Sequence, residues 1–221
     1  MTRNAKISGG ILVVVLLAIL TWVLAPEGFL GKGSSQPAEQ PATTAATAAR
    51  PDSHRLSDVP DGTVTFVEFL DFECEACRSV YPVIEQLRDQ YGDRVSFVVR
   101  YFPIPSHFNA ERAARAVEAA AQQGRFEQMY QRMYDTQAEW GEQQIPMDDR
   151  FRGYAADLGL DLTEYDRVYA DPQTLERIRA DVADGKALGV QATPTFFLNG
   201  QRLQPKTVSD LTAALDAALN P

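Results

Sequence analysis

The segment FLDFECEACRSVYP, residues 69–82, holds Cys74 and Cys77, the only two cysteines in a chain of 221 residues. A disulfide across two intervening residues closes a very short loop. It adds little stability, because that gain grows with loop length. The pair therefore points to chemistry, either thiol–disulfide exchange or metal binding. Structural zinc takes about four ligands, and the chain offers only His54 and His107 besides the thiols. Those two histidines read as solvated or loop-bonded. Exchange asks for less. A cysteine at the start of a helix meets unpaired backbone N–H groups and the positive end of the helix dipole, and both favour the thiolate. A second cysteine one turn further in can attack a mixed disulfide and release the partner. The spacing casts Cys74 as the exposed nucleophile and Cys77 as the resolving thiol. It calls for no metal and no cofactor beyond the Cys74–Cys77 disulfide itself.

That chemistry requires a strand and a helix on either side of the pair. TVTFVEFL (63–70) is rich in β-formers and reads as a strand buried on both faces. RSVYPVIEQLRDQY follows, with Val80, Val83, Ile84 and Leu87 at helical spacing, so a helix starts at or beside Cys74, with a kink implied at Pro82. RVSFVVRYF (94–102) is a second strand, completing a βαβ unit. Residues 107–188 are helical by composition. One stripe there, Phe126, Met129, Tyr130, Met133 and Tyr134, reads as core packing. TPTFFLNGQRL (193–203) returns to strand character, and Asn199-Gly200 marks a hairpin turn. A closing helix over 207–219 has Thr207 or Ser209 as cap.

The first part of the chain is different. Residues 7–26 carry no charge and are long enough to cross a hydrocarbon core of about 30 Å. Arg3 and Lys6 precede them, which places residues 1–6 in the cytoplasm and the rest outside. The alternative is a cleaved signal peptide. Residues 27–55, rich in Ser, Pro, Thr and Ala, read as a flexible linker, and residues 56–221 as one folded domain with a helical insertion at about 107–173. The net charge of −9 argues against a nucleic-acid surface.

VEFLDFECEACRSVYP followed by GVQATPTFFLNG resembles the thioredoxin superfamily, specifically its DsbA-like, membrane-anchored branch. The resemblance covers about 57–219. It implies an α/β fold, a central mixed β-sheet flanked by helices, with an inserted helical subdomain. It implies that Pro194 is a cis-proline packed against the disulfide, with Thr193 beside it pairing with substrate. It also implies that Glu68, in the strand before the cysteines, is buried and moves protons to and from Cys77. The physics agrees, because burial raises a carboxyl pKa toward neutrality. The chain departs from oxidising members between the cysteines: Glu75-Ala76 replaces a dipeptide such as Pro-His. Glu75, with Asp71 and Glu73 nearby, is expected to tune the couple away from the strongest oxidants.

The resulting expectation is a membrane-anchored, extracytoplasmic oxidoreductase of a bacterial cell envelope. It would act as a monomer on unfolded or reduced exported proteins and be reset by a membrane redox partner of DsbB or VKOR type. A reductase of the same fold, serving cytochrome c maturation or disulfide repair, is the alternative. A copper- or partner-binding module is a third.

Overall fold

The structure, a computed structural model, describes residues 47–60 and 64–220. The elements in chain order are β1 (His54–Ser57), β2 (Val64–Leu70), α1 (Glu75–Tyr91), β3 (Val95–Tyr101), α2 (Ala110–Ala121), α3 (Phe126–Trp140), α4 (Asp148–Asp157), α5 (Leu162–Ala170), α6 (Pro172–Ala187), β4 (Thr195–Leu198), β5 (Gln201–Arg202) and α7 (Val208–Leu219). The strands form one mixed sheet in the order β1-β3-β2-β4-β5. β2 lies at its centre, parallel to β3 and antiparallel to β4. This is the α/β architecture with a helical insertion that the sequence suggested.

The alternation of side chains along a strand decides what each face meets. Val64 and Phe66 of β2, with Val95 and Phe97 of β3, pack against Ile84, Leu87 and Tyr91 of α1 and Leu211 and Leu215 of α7. Val67 and Phe69 point the other way, toward Val182 and Leu188. On that second face α6 comes close because residue 185 is glycine: a Cβ there would stand 2.8 Å from the Phe102 ring. The helical block α2–α5 has its own core, built on Met129, Tyr130, Met133 and Trp140, which continues into Leu70, Phe72 and Cys77. The active end of β2 is thereby roofed by the insertion.

Local signals set the ends of several elements. α1 runs unbroken through Pro82. Asn199 and Gly200 take φ of 49° and 79°, the left-handed pair that a tight two-residue hairpin requires. Thr207 and Asp210 form a reciprocal capping box on α7.

Two expectations are corrected by the fold. Residues 47–55, read as the end of a flexible linker, are built into it. Ala48 and Ser53 are buried, and β1 pairs antiparallel with β3, Arg55 opposite Val98. What holds this strap is charge. Arg100, wholly buried on β3, donates to the carbonyls of Thr47 and Ala48 at 3.0 and 2.7 Å and to Asp181 and Asp184 of α6 at 2.8 and 2.7 Å. Arg50 meets Asp184 at 2.6 Å, and His54 meets Glu118 at 2.6 Å. The second correction concerns the membrane. The anchor expected at 7–26 lies outside the described residues. Among the described residues no helix is long and apolar enough to cross a membrane. The longest of them, α1, has 17 residues with charged side chains along it, against about 20 apolar ones for a span. The expectation of a membrane-anchored protein, with a transmembrane helix holding an extracytoplasmic catalytic domain, thus has no spanning helix among the described residues to support it and is not carried further.

Arg100 satisfies two buried carboxylates and two carbonyls at once. Arg100→Met leaves Asp181 and Asp184 without it, and removing one partner of a buried ion pair costs about 3–5 kcal/mol. The variant is expected to lose at least ~3 kcal/mol in urea denaturation; a loss below about 1 kcal/mol, the range of exposed pairs, contradicts this role.

Candidate functional site

β2 ends at Leu70, and the chain turns through Asp71, Phe72 and Glu73 into α1. Cys74 is the N-cap of that helix, in extended conformation and without a side-chain cap bond of its own. Its amide donates to the Asp71 carbonyl at 3.2 Å, and its carbonyl accepts the Arg78 N–H at 3.1 Å. Cys74 is 9% exposed and Cys77, one turn deeper, is 1% exposed. Both are free thiols.

The two sulfurs titrate in opposite directions. Cys74 is lowered to about 5. The chief cause is a hydrogen bond from the Cys77 thiol; burial opposes it, and Thr193 and the backbone N–H groups of Cys77 and Ala76 add to it. This is the helix N-terminus acting through its unpaired donors. Cys77 is raised, first by burial, then because its own hydrogen bond goes to Cys74 and because Glu68 is near.

Thr193 stands across from the pair. Its carbonyl lies 3.4 Å from Cys74 Sγ, and the Thr193–Pro194 peptide bond is cis. The Thr193 hydroxyl is buried without a hydrogen-bond partner among the described residues, and Thr193 is among the influences that lower Cys74.

Glu68 is 3% exposed, in the central strand between Val99 of β3 and Phe196 of β4. Strand alternation puts it with Phe66 and Leu70 on the face that α1 covers. Burial raises it to about 8, helped by the negative charge on Cys74 and by Glu85. It is therefore a carboxyl that titrates near neutral pH, within reach of the charge on Cys77.

The remaining acids differ in their surroundings. Glu75 and Ala76 are exposed. Ala76 contributes its backbone N–H, but Glu75 is not among the leading influences on Cys74. Its carboxylate is in water, where screening weakens it. Asp71 and Glu73 are 1% exposed. Asp71 accepts N–H bonds from Glu73 and Ile104, both at 2.8 Å, and meets His107 Nδ1 at 2.7 Å. Glu73 accepts from the amides of Asn109 and Glu142 at 2.6 and 3.1 Å. These carboxylates hold the cysteine turn against the insertion instead of facing the thiolate freely. Among the described residues no cluster of His, Cys, Asp and Glu comes together that could hold a metal ion.

Gln137 and both histidines have parts that the sequence did not disclose. Gln137 of α3 donates to the carbonyls of Phe72 and Cys74 at 2.6 and 3.0 Å. Its signal was present: it continues the buried spacing of Met129, Tyr130, Met133 and Tyr134, and a polar residue in such a stripe needs a partner. His107 is not loosely solvated but paired with Asp71, which raises it to about 9. His54, read as part of a tether, bonds Glu118 and stacks on Phe126.

The sequence and the fold have counterparts in known proteins. A family model described as Thioredoxin matches residues 59–217. The chain is 33% identical over 223 residues to a protein named Na(+)/H(+) antiporter NhaA 1 from Mycobacterium sp. (strain KMS), covering 97% of this chain and 34% of the antiporter. It thus spans about a third of the length of the curated relatives it matches. Among solved structures, a thioredoxin-like oxidoreductase from Silicibacter pomeroyi DSS-3 superposes with a TM-score of 0.67 at 27% identity, over 81% of this chain and 99% of the other. Oxidised BdbD from Bacillus subtilis gives 0.68 at 18% identity, over 80% and 98%, a likeness of fold.

Two measurements follow from the titrations. In the reduced protein, thiolate absorbance in the far ultraviolet is expected to appear with a midpoint near 5. In Cys77→Ala, which lacks the main stabilising donor, the midpoint moves upward; an unmoved midpoint removes Cys77 from that role. Glu68 gives a stability effect. Its folded value of about 8 lies above its ordinary 4.5, so the native fold loses stability as pH rises through that window. Glu68→Gln is free of this loss. The variant's advantage in denaturation should therefore be small below the ordinary value of 4.5, grow toward about 8 and level off above it. A pH-independent difference contradicts the buried ionisation.

Proposed function

The chain belongs to the thioredoxin family, and from that membership we propose that it is a thiol–disulfide oxidoreductase working as a DsbA-like oxidase, which passes the Cys74–Cys77 disulfide to reduced polypeptides. A substrate thiolate attacks the Cys74 sulfur, the S–S bond breaks, and the electron pair leaves on Cys77. Glu68, protonated at neutral pH with a value of about 8, gives its proton to that leaving thiolate. A second substrate thiolate then attacks its own sulfur in the mixed disulfide and expels Cys74 as thiolate. The substrate loses two electrons and gains a disulfide, and the Cys74–Cys77 pair is reduced. The backbone at Thr193-Pro194, beside the Cys74 sulfur, aligns the incoming peptide. An electron acceptor of DsbB or VKOR type restores the disulfide, and the chain works as a monomer.

The single observation that carries the oxidase reading is the asymmetry of the two thiols. A Cys74 lowered to about 5 is a good leaving group and a stable product, and a stabilised reduced form makes a disulfide oxidising. Potentials in this fold run from about −270 mV for thioredoxin to about −120 mV for DsbA. The couple here belongs between them. Without a cation in the Glu75-Ala76 dipeptide it falls short of the upper end. The antiporter relatives share only this segment with the chain, and ion exchange is no part of the reading.

Equilibration against glutathione, followed by quantifying the Cys74–Cys77 disulfide, tests the direction. A potential at or below about −270 mV assigns the chain to the reductases instead. For the roles, Cys77→Ala is expected to accumulate mixed disulfides with reduced proteins through Cys74. Equal trapping by Cys74→Ala reverses the assignment. Glu68→Gln is expected to slow turnover about tenfold or more near neutral pH, somewhat less than the usual worth of general acid–base catalysis.

A further inference from the structure

We propose that His107, oriented by Asp71, is a cation that stabilises the Cys74 thiolate and is thereby a positioning residue for the exchange reaction. This deepens the oxidase reading and rests on it for its purpose. The dipeptide between the cysteines brings no positive charge. His107 brings one from another element, the loop between β3 and α2. Its Nδ1 lies 2.7 Å from Asp71 Oδ2, and the carbonyl of the same Asp71 accepts the Cys74 N–H at 3.2 Å. One buried residue thus bonds the imidazole with its side chain and the nucleophile with its backbone. The Ile104 amide, bonded to the same Oδ2 at 2.8 Å, and the His107 amide, bonded to the Ile104 carbonyl at 3.0 Å, fix the loop that presents the ring. The ring remains 22% exposed and lines a cavity of about 740 Å³.

The leading influences on Cys74 are its hydrogen bonds and its burial, so His107 adds to them through charge at longer range and not through a bond to the sulfur. On the turn, Asp71 and Glu73 face His107, and the thiolate of Cys74 acts on it in the same sense. Around the cavity stand Glu111, Arg112 and Arg115 of α2, Asp148 of α4 and Arg179 of α6. Arg112 is paired with Asp148 and Arg115 with Glu111. Among the described residues, His107 is therefore the cation in hydrogen-bond contact with the acidic turn. Without it, the buried Asp71 carboxylate would stand near the thiolate uncompensated. Its loss removes an attraction and uncovers a repulsion together.

The effect is redox-linked. Reduction at neutral pH takes the disulfide, two electrons and one proton to a Cys74 thiolate and a Cys77 thiol. Of the negative charges that act on His107, the Cys74 thiolate is the one that exists only in the reduced form. A cation that gains from that charge stabilises the reduced form and raises the potential. By reciprocity, formation of the disulfide must lower the affinity of His107 for its own proton. In the reduced protein His107 titrates at about 9, so the contribution is present through neutral pH and fades as pH rises through that value.

The wild-type protein supplies the first test. NMR titration of its two histidines in each redox state should show the His107 midpoint falling on oxidation. The same midpoint in both states overturns the proposal, with no variant required. In His107→Gln the thiolate absorbance transition should move up. The glutathione equilibrium should shift about tenfold toward a more reducing couple, about 30 mV. His107→Lys, which keeps the charge, should stay nearer the wild type. A folded His107→Gln protein with unaltered transition and potential also overturns it. A wild-type potential in thioredoxin's range, with the His107 difference intact, sinks the oxidase reading alone.

Discussion

Asp71 is almost wholly removed from water, and its carboxylate accepts bonds from Glu73, Ile104 and His107. A buried carboxylate that lost these donors would cost several kcal/mol. The native chain therefore has only one way to place the loop after β3 relative to the turn after β2. Everything the cysteines need follows from that closure. The turn delivers Cys74 to the helix N-terminus, the loop delivers His107 to the same turn, and Glu73 locks the start of α2 and the chain just after α3 onto it. Gln137 finishes the arrangement by taking the carbonyls of Phe72 and Cys74, which sit beneath the insertion.

The same physics recurs with opposite outcomes at the three titrating groups of the site. Burial disfavours charge everywhere. At Glu68 and Cys77 it prevails, so both remain neutral in the resting reduced protein at neutral pH. At Cys74 it is outweighed by donors from Cys77, Thr193 and the first helical amides. A single fold thus keeps an ionised nucleophile at the rim and a proton donor beneath it. The separation depends on depth along one turn of α1 and on the alternation of β2, which aims Glu68 at that helix instead of at α6.

On the opposite face of the sheet, Arg100 organises a second buried polar set, which binds the strap at 47–57 to β3 and α6. Its bonds go to the strap and to α6, away from the sulfurs. Its role is to close the edge of β3, which otherwise would present unpaired backbone groups on the side away from β2.

How much of this was legible beforehand depends on the range of the interactions. The cysteine spacing, the strand before it, the Asn199-Gly200 hairpin and the Thr207 cap are encoded by neighbours a few residues apart, and periodicity or turn chemistry reveals them. The burial of Glu68 could be read from the apolar residues around it. The strap at 47–57 could not, because HRLS has little strand character alone and the segment before it is held by an arginine 52 residues beyond Ala48. Nor could the duties of Asp71, Glu73 and His107. A carboxylate beside a cysteine looks like a tuning charge until the fold shows which amides it accepts, and the distant ones lie 33 to 69 residues away. The sequence by itself determined the reactive pair and the elements that carry it; only the tertiary structure decided which charges face the thiolate and which are consumed in holding it, since a hydrogen bond between distant segments exists only after the chain has closed.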